Sequence, residues 1–128
     1  MALDRKAELD SLLAKQRSAF TAARPEPVEA RRDRVERAMA LLRDNGEALC
    51  RAMSADFGSR SIQQSMITDI ASTVGFGHYC LKNLASWSKP ERRKVQFPLG
   101  LLGAKAELRY EPKGVIGILS PWNFPVNL

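Results

Sequence analysis

A chain of 128 residues, 45% hydrophobic and 27% charged, has the size and balance of one soluble globular domain. No apolar run approaches the roughly 20 residues of a membrane helix, and no apolar stretch follows the charges of Met1 to Glu8 as a secretory signal requires, so a cytoplasmic protein without a membrane partner is expected. The net charge of +6 raises nucleic acid as a partner, but Arg31, Arg32, Arg34 and Arg37 alternate with Glu29, Asp33 and Glu36. That is the pattern of a solvated, salt-bridge-laced face, and no nucleic-acid partner is expected.

From Asp4 to about Ala23, Leu9, Leu12, Leu13, Gln16 and Phe20 recur at helical spacing, the stripe of an amphipathic helix with one polar interruption. Arg24-Pro25-Glu26-Pro27 ends it. Val28, Val35, Met39 and Leu42 mark a second helix, which Asn45-Gly46 interrupts before Ala48, Leu49, Ala52 and Met53 continue it to a stop at Gly58. Ser61 with Gln64 three residues later is a capping-box signature for a third long helix. Its stripe runs Ile62, Met66, Ile70, Val74, Gly77, Leu81 and Leu84, and Lys89-Pro90 stops it.

After Pro90 the period changes to two. Ala104, Ala106, Leu108 and Tyr110 alternate with Lys105, Glu107, Arg109 and Glu111, and Val95 and Phe97 with Lys94 and Gln96, so a hairpin is expected with its reversal in Pro98 to Gly103. Val115-Ile116-Gly117-Ile118-Leu119 is apolar on both faces, the composition of a strand buried in a parallel sheet. The run leads directly into Ser120-Pro121-Trp122-Asn123-Phe124-Pro125, and ligands of open α/β sheets bind beyond the carboxyl ends of strands. Two prolines around Trp-Asn-Phe fix the backbone there.

Other chemistry-bearing residues read as structural. Cys50 and Cys80 lie in helical patterns with no second ligand at metal spacing, so reduced core thiols are expected, with neither a disulfide nor a metal site. His78, the only histidine, has no Ser or Cys partner that spacing assigns. Gly75 and Gly77 interrupt a helix instead of following a strand, so close packing or a bend is expected there in place of a phosphate loop. Gly114 and Gly117 also fail the G-x-G-x-x-G spacing.

The run Glu111-Pro-Lys-Gly-Val-Ile-Gly-Ile-Leu-Ser-Pro-Trp-Asn-Phe-Pro125 resembles the signature with which aldehyde dehydrogenases open their dinucleotide-binding domain. The preceding elements resemble that family's N-terminal segment in order and length. The Lys82 to Trp87 region, Lys89-Pro90 and the closing Phe124-Pro-Val-Asn-Leu128 are more similar to the short, class-3-like branch, and within it to bacterial coniferyl aldehyde dehydrogenases.

The resemblance implies an α/β parent in which a cysteine thiolate attacks the aldehyde, hydride passes to NAD or NADP, and water releases the carboxylic acid. An aromatic, coniferyl-type aldehyde is then the substrate class. Asn123 matches the family's oxyanion donor, and Leu119, Ser120, Pro121 and Trp122 match positions lining the cofactor site near the nicotinamide ribose. It implies an N-terminal helical segment over residues 1–90, a hairpin of the oligomerisation region over 91–112, and the start of the dinucleotide-binding domain, with its first sheet strand, over 113–128. A homodimer or higher homo-oligomer follows. The nucleophile, the base glutamate and the phosphate turn match nothing in the 128 residues, so these alone are expected to be inert. A different class of protein, a small basic helical interaction or nucleic-acid-binding module, is the alternative.

Overall fold

The computed structural model describes residues 2–128. These divide into two units, one made of the residues up to Pro27 with Glu111–Ile118, the other of Val28–Tyr110 with Leu119–Leu128.

In the first unit, α1 spans Ala2–Ala22. The Ala23 amide makes a last helical bond to the Ala19 carbonyl at 3.1 Å, after which two prolines forbid further amide donation. Phe20 lies where a side chain on Gly114 would meet its ring at 3.5 Å, and Gly114 has φ +110, so glycine there serves both conformation and close approach. Arg24 pairs with Glu111 at 3.8 Å. Leu9 stays 65% and Leu12 48% exposed, and Leu13 and Phe20 are half-buried, so the expected stripe is only partly covered.

The second unit is built on α2, Val28–Phe57. Asn45-Gly46 does not interrupt this helix. Gly46 is buried, and a Cβ on it would meet Ile70 Cγ2 at 3.2 Å, so the glycine admits a neighbouring helix instead of ending its own. Gly58, at φ +77, makes the stop, its amide bonding the Ala55 carbonyl at 3.2 Å.

The third helix begins where the capping signature puts it, with Ser61 Oγ accepting from the Gln64 amide at 3.3 Å, and it comes in three pieces. A short α3, Ile62–Ser65, runs into a π-helical turn, Met66–Ala71, whose wider winding appears in the Ser72 amide bonding the Ile67 carbonyl. Then α4, Ser72–Trp87, continues to a cap at Ser88, whose hydroxyl donates to the Leu84 carbonyl at 2.8 Å.

Helix α4 lies on α2 through Gly77, where an added Cβ would meet Met39 Cγ at 2.6 Å. The close-packing expectation holds for Gly77. Gly75 has open space around it. The core is Cys50, Met53 and Ile70, with Leu49, Met66 and Val126 packed on it. Val126 brings the C-terminal segment into this core.

The hairpin is real but shifted. Strand β1 is Glu91–Arg93 and β2 is Ala106–Leu108, antiparallel with Arg92 opposite Glu107. Residues 94–97, expected as the first strand, lie in the connection, where Pro98 to Ala104 folds on bonds such as the Leu101 amide to the Pro98 carbonyl at 2.9 Å. Strand pairing starts directly after Pro90, and the alternation at 94–97 continues past it. Tyr110 reaches back to Glu91 with an O–H···O bond of 3.0 Å.

Val115 to Leu119, which has the composition of a buried strand, pairs with no strand among the described residues and is exposed throughout. A strand buried on both faces needs neighbours on both edges for its amides and carbonyls, and no other parallel strand occurs among the described residues. What the chain forms is mainly helical, with one small antiparallel sheet.

Candidate functional site

The expected site residues, Leu119 to Asn123, fall on the segment that begins at Leu119. Pro121 to Asn127 forms consecutive turns, with the Phe124 amide on the Pro121 carbonyl at 3.3 Å and the Leu128 amide on the Phe124 carbonyl at 3.2 Å. Asn123 is exposed at the tip and Ser120 is half-buried. Leu119 is 100% exposed and Trp122 86%. A chain pinned by two prolines therefore presents one amide and one indole outward.

Two residues that the sequence reading passed over hold this segment in place. Asp69, on the π-helical turn, is fully buried, and Arg60, just before the Ser61 cap, is 11% exposed. They form an ion pair of 2.6 Å. The remaining acceptor capacity of the carboxylate goes to Thr68 Oγ1 at 3.1 Å and to the Val126 backbone amide at 3.3 Å. The guanidinium also donates to Ser65 Oγ at 2.9 Å and to the Asn123 main-chain carbonyl. Its central carbon lies over the ring of Phe57, 5.3 Å from the centroid, and over that of Phe124, at 5.4 Å. Such complete pairing is what permits two charges to leave water. Thr73 Oγ1 adds a 3.2 Å bond to Asn127 Oδ1.

Asp69 was readable in principle. It falls three residues after Met66 and beside Ile70, on the apolar stripe, and an acid on a buried face demands a cation. Arg60 could be chosen from many arginines only through the fold, because the π-helical turn sets which way residue 69 faces.

The other candidates are placed as structural residues. Cys50 is fully buried in the core. Burial pushes its thiol above the usual range, the Asp69 charge adds to this, and Arg60 opposes it. Neutral, enclosed sulfur is a poor nucleophile. Cys80 is half-buried on α4 and His78 is exposed there. Arg37 pairs with Asp33 at 2.8 Å across one helical turn and Arg32 reaches the Leu81 carbonyl at 3.5 Å. Among the described residues no helix is long and apolar enough to cross a membrane.

A small groove of about 350 Å³ beside the segment is lined by Met53, Asp56, Phe57, Trp122 and Pro125. An exposed amide on a turn between two prolines, an indole 86% exposed beside it and an ion pair beneath define a wall to which a ligand site can be added. Residues 1–128 match the aldehyde dehydrogenase family, and the chain belongs to that family. It is 40% identical over 121 residues to the coniferyl aldehyde dehydrogenase of Pseudomonas sp. strain HR199, covering 94% of this chain and 24% of that protein. It is likewise 40% identical over 124 residues to a probable coniferyl aldehyde dehydrogenase of Caulobacter vibrioides, covering 96% of this chain and 26% of the relative. Aldehyde dehydrogenase family 3 member B1 of Homo sapiens is 33% identical over 120 residues, covering 94% of this chain and 25% of the relative. The chain thus spans about a quarter of the length of these curated relatives. The alternative of a small basic binding module gives way to family membership.

Proposed function

We propose that this chain is one wall of an NAD- or NADP-dependent aldehyde oxidation site, completed by residues beyond these 128, in an α/β enzyme whose substrates include a coniferyl-type aromatic aldehyde. The observation that carries the reading is Asn123, an exposed amide whose backbone is gripped by Arg60 on a turn bounded by two prolines. The similarity to coniferyl aldehyde dehydrogenases supports the substrate class.

In this reading the Asn123 amide donates to the carbonyl oxygen of the aldehyde, most strongly when that oxygen becomes an oxyanion. Preorganised donors of this kind lower the barrier by about 2.7–4 kcal/mol, since they are aimed before the charge develops. The nucleophile is not Cys50 or Cys80. Leu119, Ser120, Pro121 and Trp122 offer a flat apolar wall with one hydroxyl, which fits the nicotinamide ribose of NAD or NADP. They carry no cation and so fit only that end of the dinucleotide. When bound, the dinucleotide supplies the hydride acceptor.

Val115 to Leu119 becomes, in the complete enzyme, the first strand of the dinucleotide-binding sheet, and its exposed apolar side chains are covered by neighbouring strands and helices. The hairpin region 91–112 belongs with contacts between subunits of a homo-oligomer. A panel of aldehydes including coniferyl aldehyde tests the function. The complete enzyme reduces NAD or NADP in an aldehyde-dependent way, and residues 1–128 alone do not. Failure of the complete enzyme with every aldehyde overturns the reading, and so does turnover by residues 1–128 that Cys50→Ser or Cys80→Ser abolishes.

A further inference from the structure

We infer that Arg60 and Asp69 are positioning residues for Asn123, fixing the depth and direction of its amide through the backbone; the inference rests on the reading of Asn123 given above. Four observations meet at one point. The guanidinium donates to the carbonyl of Asn123 itself, so the restraint acts on the residue that bears the amide. The Asp69 carboxylate takes the Val126 amide at 3.3 Å, so the segment is tied on the other side of the tip as well. Arg60 stacks on Phe124 at 5.4 Å, between those two ties. Asp69 also stands on a π-helical turn, a widening that turns a residue out of ordinary register and recurs at functional sites.

These contacts are more than a core needs. Val126 already packs on Cys50, Met53 and Ile70, and that burial alone holds the segment to the helices. The ion pair adds direction. A guanidinium has five donors in a fixed plane. Here that plane serves Asp69, Ser65 and the Asn123 carbonyl together, so turning the 123 peptide away breaks a charge-assisted bond. Lysine at 60 keeps a charge opposite Asp69 but has no plane to hold three partners at these angles.

Arg60→Lys in the complete enzyme therefore separates folding from positioning. Thermal stability stays close to the parent's and dinucleotide affinity is unchanged within about twofold. The value of kcat falls by about 10- to 100-fold, the range in which misplacement of a reacting group by about 1 Å acts. The distinguishing readout is the double variant. On an Asn123→Ala background, Arg60→Lys costs no further kcat, because what it positions is gone. A further loss of the same factor overturns the inference, and so does an Arg60→Lys enzyme of parental kcat beside an impaired Asn123→Ala. If Asn123→Ala itself is unimpaired, the oxyanion reading has failed and the positioning is read from hydrogen exchange. Faster exchange over residues 121–128 in Arg60→Lys supports the restraint on the segment. Exchange equal to the parent's overturns it.

Discussion

Asp69 is the residue on which this part of the chain turns, and its cost can be compared with that of an ordinary surface acid. Its carboxylate is fully buried against Arg60, whereas Asp10 pairs with Lys6 at 63% and 76% side-chain exposure. Removing one partner of a buried pair leaves the other charge stranded, so Asp69→Ala should lower unfolding free energy by about 3–5 kcal/mol. Asp10→Ala should change it by under about 1 kcal/mol. Denaturant titration of both variants checks this, and equal shifts would contradict it. Cys50 adds a pH dependence. Its thiol is raised in the folded chain above the ordinary value of 9.0, chiefly by burial, so the unfolded chain ionises first as pH rises. The thiol's contribution to stability is complete below pH 9.0 and is lost as pH climbs from there through the folded value. Stability should therefore fall less steeply above pH 9.0 in Cys50→Ala than in the parent, and parallel curves would refute the assignment.

Helix α4 supplies a paired test at the level of one element. Gly77→Ala forces a methyl into Met39 and should cost about 1–3 kcal/mol by overpacking. Gly75→Ala meets open space and should gain about 0.5–1 kcal/mol from helix propensity. Opposite signs in thermal melts are the expected result, and two losses of equal size would mean that the α2–α4 contact is misdescribed. The same element shows how much the sequence discloses. The stripe Ile62, Met66, Ile70, Val74 and the Ser61 cap were legible because period and capping are local. The π-helical turn was not, since Asp69 on it is buried against Arg60, nine residues away, and no periodicity reports such a partner. Asn45-Gly46 misled for a related reason: the space Gly46 gives to Ile70 is a tertiary fact. Alternation at 94–97 looked like strand, but pairing depends on which residues stand opposite β2. Asn123 is proposed as a site residue on the family resemblance alone, and the residues that hold its backbone are visible only through the fold.

In the molecule as a whole, apolar surface remains uncovered, with Phe97 81%, Leu102 80% and Leu119 100% exposed. Surface of this kind recruits other chains, so residues 1–128 should self-associate at tens of micromolar in sedimentation. Shortening the chain to Pro90 is a poor control because it removes Val126 from the core. Leu101→Lys with Leu102→Lys leaves that core intact and should weaken association, and unaltered association would move the contact elsewhere. Whether the chain supplies the oxyanion donor of an aldehyde-oxidising enzyme is decided by kcat for Asn123→Ala in the complete enzyme, measured beside its dinucleotide affinity. A fall in kcat of about 10²–10³ with affinity little changed is the result expected of a donor that acts mainly in the transition state; near-parental turnover would contradict it.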